Sequence, residues 1–157
     1  MSDSMSFGLE IAQQHDYGFT VRFDRPGMPE LLMDAQPPLG RGQGPDAERL
    51  IGAAVANCLA ASLLFCLQGK FKNTPGPLRA QVRGELARNT QGRLRIGRLD
   101  VTIQLDDDAA SLKHLDRCLA QFEDFCVVTE SVRQGIPVGV RVVDAKGESL
   151  LEPGTVG

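Results

Sequence analysis

A chain of 157 residues with 42% hydrophobic and 24% charged residues has the size and balance of one domain that buries its own core. Its net charge of −3 gives no electrostatic footprint for a polyanion. With no Trp, one Tyr and seven Phe it also lacks the flat faces on which bases or sugars stack, so nucleic acid is not expected as a partner.

Met1 to Ser6 is polar, without the basic start and apolar run of a secretory signal. Phe7 to Ile11 and Tyr17 to Phe23 read as two short strands joined through Gln13-Gln14-His15-Asp16, a hairpin pattern. Arg25-Pro26-Gly27 is turn chemistry, and Glu30 to Met33 reads as a third strand. Gln36 to Gly44 is an irregular loop rich in Pro and Gly.

A helix is expected next, with Pro45 at its first position and Asp46 and Glu48 near the positive end of its dipole. Ile51, Val55, Cys58, Ser62 and Phe65 recur at helical spacing, and the helix should stop near Gly69. Leu50 to Leu67 carries no formal charge and borders on the length of a membrane span. Its Ala content, Asn57 and Ser62, and the lack of a second span make it a core helix in this reading, so no membrane partner is expected.

Leu78 to Leu86 alternates apolar or small residues with Arg79, Gln81, Arg83 and Glu85, the pattern of a strand with one buried and one wet face. Asn89 to Gly92 is a turn. The next strand changes parity at Gly97-Arg98, which predicts a β-bulge there. Asp106 to Asp108 should open a second helix carrying Leu112, Leu115, Leu119, Phe122 and Cys126 on one stripe. Ile136 to Val143 is the expected last strand, and residues 146–157 an exposed or disordered tail after a single domain over 1–145. The order βββ-α-ββ-α-β describes an α+β fold with antiparallel sheet.

Four cysteines without a signal peptide point to a reducing, cytoplasmic setting, where a thiol either packs or reacts. No CxxC pair exists and the only histidines are His15 and His114, so neither a metal nor a cofactor is expected. Cys66 and Cys118 read as small packing residues. Cys58 and Cys126 lie beside polar neighbours, Asn57 and Asp124, at the interruption or end of their stripes.

The stretch from Pro45 to Cys58, with Glu48 ten residues before Cys58 on an Ala-rich helix, resembles the signature of the OsmC/Ohr family. Phe125-Cys126-Val127-Val128 to Gly135 is similar to the segment carrying that family's second cysteine. The resemblance implies an intertwined homodimer with sheet wrapped around long helices. It also implies a peroxidase for organic hydroperoxides, in which Cys58 attacks the O–O bond and Cys126 resolves the sulfenic acid as a disulfide. A dithiol or lipoylated protein would reduce that disulfide. The family's activating Arg, held by the helix-start Glu, would be Arg25 with Glu48, with Arg22 and Arg41 as the other candidates. The alternative is a non-catalytic stress-response or ligand-binding member in which the cysteines only pack.

Overall fold

The computed structural model describes residues 4–136 and 138–153. The readings made of residues 1–3, of Pro137 in the expected last strand and of residues 154–157 in the tail lie outside the described residues. The fold is α+β with antiparallel strands, as the element order predicts. The chain divides into two compact units.

The first unit takes the described residues of Met1–Asn57 together with Arg79–Gln104. Strands β1 (Leu9–His15), β2 (Gly18–Phe23) and β3 (Leu31–Met33) form one antiparallel sheet in that order. The hairpin turn is Asp16-Tyr17 rather than Gln13 to Asp16, because Gln13 to His15 continue the strand and Asp16 takes the positive φ of +35°. After β3 the loop is gathered around Asp34, which is 2% exposed. Its Oδ2 accepts the backbone N–H of Arg41 and of Gln43, both at 3.1 Å. Burial pushes the Asp34 carboxyl up, but these backbone donors outweigh it and leave it below the usual carboxylate range.

Helix α1 spans Ala47–Leu64, two residues later than Pro45 suggests. The Pro45 carbonyl accepts the Asp34 N–H at 3.2 Å and so stays outside the helix. Asp46 is the cap, its Oδ1 accepting the Arg49 N–H at 3.0 Å.

Strands β4 (Arg79–Arg88) and β5 (Leu94–Gln104) pair antiparallel around a turn in which Asn89 Oδ1 accepts the N–H of Gln91 and Arg93, each at 3.0 Å. The register slips where Glu85 faces Arg98 and Leu86 faces Ile96, which leaves Gly97 unpaired: the bulge is where the parity change put it. The buried face expected for β4 is not buried. Val82 and Leu86 are exposed, and every residue of β4 is open in the single chain. The alternation correctly marks which face is apolar, but not what covers it.

The second unit takes Cys58–Leu78 and the described residues of Leu105–Gly157. Here α1 passes into a π-helical turn, Phe65–Lys70, close to the stop expected at Gly69. The single second helix expected from Asp106 is broken into pieces. A 3₁₀ turn (Ala109–Ser111), helix α2 (Leu115–Gln121), a second 3₁₀ turn (Phe122–Phe125) and helix α3 (Val127–Gln134) follow one another. Asp107 does not start a helix because its Oδ2 accepts the Gly76 N–H at 2.7 Å, and His114 at φ +58° delays α2 to Leu115.

Helix α3 was not expected at all. The last strand shrinks to β6 (Val142–Val143), which pairs with β7 (Ser149–Leu151) inside the segment read as a tail. Leu59, Leu63, Leu67, Leu112, Cys118 and Cys126 make the core of this unit.

The buried stripe of α1 also differs from the expected one. Val55, Ala56, Leu59 and Leu63 are buried, whereas Ile51 and Phe65 are exposed and Cys58 and Ser62 sit half-buried at the stripe's edge. By length and composition alone, Ala47–Lys70 is apolar enough to cross a membrane, yet 39% of its most apolar window is buried within the structure.

Candidate thiol site

All the pieces of the thiol site lie in the second unit. Cys58 is carried by α1, and four residues on, Ser62 donates its hydroxyl to the Phe122 carbonyl at 2.6 Å. That bond pins the 3₁₀ turn Phe122–Phe125 to the helix and delivers Cys126, the next residue, toward Cys58. Cys126 is fully buried and caps α3: its N–H bonds to the Glu123 carbonyl and its carbonyl accepts the Glu130 N–H. Neither thiol is in a disulfide.

Cys126 is the thiol neighbour of Cys58, and its own S–H donates to Thr129 Oγ1 at 3.0 Å. Thr129 is itself 5% exposed. The backbone N–H groups of Val128 and Thr129 belong to the first turn of α3, where donors have no partner within the helix, and they act on the Cys58 sulfur. Burial pushes the Cys58 thiol above its ordinary value and the bond to Cys126 adds to this, while the two backbone donors pull the other way. Ser62 and Thr129 are the members of the site that the sequence reading missed. Ser62 was visible as the residue one turn after Cys58; Thr129 carries no signal until α3 is known to start at Val127.

Cys58 opens onto a cavity of about 530 Å³. Ala61, Phe65, Phe122 and Phe125 make its wall apolar, and Lys70 and Gln121 supply its polar end. Cys66 lines it too. Cys66 and Cys118, expected as separate packing thiols, are joined in a disulfide with their Cα atoms 5.7 Å apart. The sequence offers no sign of this pairing, since 52 residues separate the two.

The other expected site residues lie in the first unit. Glu48, in the first turn of α1, lines a groove there with Arg49 and the apolar face of β4. Arg25 is exposed in the turn after β2. Arg22 is paired with Glu30 at 2.6 Å and Arg41 with Asp16 at 3.0 Å. Among the described residues neither Arg25 nor Glu48 takes part in an ion pair.

Residues 40–141 match the family model described as OsmC-like protein. The chain belongs to the OsmC-like family. Solved structures agree on the OsmC-like fold. An osmotic stress induced and detoxification response protein from Psychrobacter arcticus superposes with a TM-score of 0.67 at 14% identity, over 83% of this chain and 90% of that one. An organic hydroperoxide resistance protein OsmC from Legionella pneumophila gives 0.61 at 12%, over 84% and 92%. An organic hydroperoxide resistance protein from Elizabethkingia anophelis gives 0.57 at 16%, over 88% and 95%. No curated protein matches this OsmC-like chain.

Proposed function

We propose that this protein is a cytoplasmic thiol peroxidase that reduces organic hydroperoxides. The observation that carries the reading is that two free thiols, Cys58 and Cys126, are neighbours, with Cys58 on the wall of an apolar cavity. The Cys58 thiolate attacks the O–O bond, an alcohol leaves, and Cys58 becomes a sulfenic acid. Cys126 attacks that sulfur, water leaves, and a disulfide remains for a small dithiol or lipoylated protein to reduce. A sulfenic acid with a resolving thiol in contact is protected from further oxidation. The apolar wall suits an alkyl or aryl hydroperoxide better than hydrogen peroxide.

The group that generates the thiolate is assigned to Arg25, oriented by Glu48. Glu48 stands ten residues before Cys58, and of the three candidate arginines Arg25 is the one outside an ion pair among the described residues. A homodimer is part of the same reading. The open apolar face of β4 needs a cover, and each large aliphatic side chain buried contributes about 1.5–3 kcal/mol.

The test is turnover of cumene hydroperoxide with dihydrolipoamide. With Cys66 and Cys118 both replaced by Ala, adding Cys58→Ser should lower it at least about a hundredfold; equal rates with and without Cys58 in that background would sink the reading. One observation favours a second reading, a non-catalytic small-ligand protein. The Cys58 thiol sits above its ordinary value, as a packed neutral thiol would. Under that reading an apolar ligand occupies the cavity and hydroperoxide leaves both thiols intact.

A further inference from the structure

The cavity is lined by two sulfur centres, not one. Cys58 belongs to the first pair. Cys66, eight residues further along the chain, belongs to the second, the disulfide with Cys118. The surroundings of the two differ. Cys58 meets another thiol, whereas Cys66 meets a donor backed by a cation. The Gln121 amide Nε2 donates toward Cys66 Sγ at 3.6 Å, and Lys70 Nζ donates to Oε1 of the same amide at 3.3 Å. Lys70 thereby holds the Gln121 N–H on the sulfur, an arrangement that favours a thiolate.

The access is one-sided. Cys66 faces the cavity, while Cys118 has no exposed surface. The bond also ties the π-helical turn to α2, but that contact does not depend on it alone. Asn73 bonds to the carbonyls of Leu67 and Lys113 and accepts the Lys113 N–H at 2.8 Å. Opening the disulfide is therefore a local event that leaves the segment held.

We propose that Cys66–Cys118 is a second redox centre served by the same cavity: a dithiol entering the cavity opens it, and an organic hydroperoxide re-forms it. The substrate class rests on the function proposed above; the site does not. In reduction, one sulfur of the dithiol attacks Cys66 Sγ and Cys118 leaves as a thiolate that takes up a proton. The second sulfur of the dithiol then displaces Cys66, and the dithiol departs as its own disulfide. In oxidation, the Cys66 thiolate attacks the hydroperoxide, an alcohol leaves, and Cys66 becomes a sulfenic acid. Cys118 then attacks it, and the S–S bond returns with loss of one water. A disulfide kept in a reducing compartment is ordinarily of this transient kind rather than a permanent staple.

The test uses the full chain, reduced with dihydrolipoamide and freed of it, then titrated with cumene hydroperoxide with the cysteine-bearing peptides mapped after alkylation. The expected result is two equivalents consumed per chain, giving Cys58–Cys126 and Cys66–Cys118. Cys58→Ser should still consume one equivalent and link Cys66 to Cys118. Gln121→Leu should slow that linkage several-fold. The proposal is overturned if dihydrolipoamide opens Cys58–Cys126 but never Cys66–Cys118. It is equally overturned if Cys66 and Cys118 stay open to alkylation after excess hydroperoxide. Failure of the main functional reading looks different: Cys58 and Cys126 themselves would stay reduced.

Discussion

Thr129 is the residue whose role is most specific, because its hydroxyl is the acceptor for a buried thiol and has little else to do. Replacing it by Val keeps the shape and removes the partner, a loss of about 0.5–1.5 kcal/mol for one hydrogen bond. The expected outcome is a two- to tenfold slower appearance of the Cys58–Cys126 disulfide in stopped-flow measurements, with Thr129→Ser restoring it. The first step, oxidation of Cys58, should be unchanged in both.

The Cys58 thiol sits above its ordinary value through burial first and the Cys126 bond second. Its stability contribution is therefore present below the unfolded thiol pKa and lost as pH rises through the folded one. Without a cation the hydroperoxide rate should keep climbing with pH into the alkaline range. A cation at the sulfur brings that rise down toward neutral pH, and Arg25→Ala should then move it back up; an unmoved profile rejects Arg25 as the activating group. The spacing of Glu48 and Cys58, through the family resemblance, marked Cys58 as the candidate nucleophile, and the structure sets Cys58 on the cavity wall. The activating Arg was not legible, because Arg22, Arg25 and Arg41 differ in their partners rather than in any local pattern.

Among the elements, periodicity read well wherever local pattern alone decides the structure. The bulge at Gly97 followed from a parity change in β5, and a helix start close to Pro45 from the proline and the acidic residues after it. It failed where a few side chains override the pattern. Asp107 is drawn to the Gly76 N–H, His114 adopts a left-handed conformation, and Val127-Val128-Thr129 are poor helix formers that nevertheless begin α3.

The loop Gln36–Gly44 shows the same limit. Its composition says turn, while its shape is set by Asp34. Gly44 has no room for a side chain, since a Cβ there would lie 2.1 Å from the Leu32 carbonyl oxygen. Gly44→Ala should destabilise the protein by roughly 2–4 kcal/mol, within the range of severe single substitutions, measured by urea denaturation. Asp34, held below the usual carboxylate range, contributes stability that is present above its unfolded pKa and lost as pH falls through the folded one. Asp34→Asn should accordingly flatten the acid limb of the melting temperature against pH.

For the whole molecule, the sequence made the family legible through two cysteine segments in order, and the match over residues 40–141 bears it out. It could not show which thiols pair, because Cys66 and Cys118 meet only through tertiary structure. Nor could it show that the apolar face of β4 stays open in one chain. Sedimentation equilibrium should return twice the chain mass of 17.0 kDa, and Val82→Arg on that face should shift it toward the single chain.

The central claim is that Cys58 and Cys126 are a working redox pair. The most direct measurement starts from the protein with Cys66–Cys118 closed and two alkylatable thiols per chain. One equivalent of cumene hydroperoxide is added, the remaining thiols are alkylated, and the peptides are mapped. Both thiols should vanish together into a single Cys58–Cys126 cross-link. Two thiols still open to alkylation, with the hydroperoxide unspent, would contradict it.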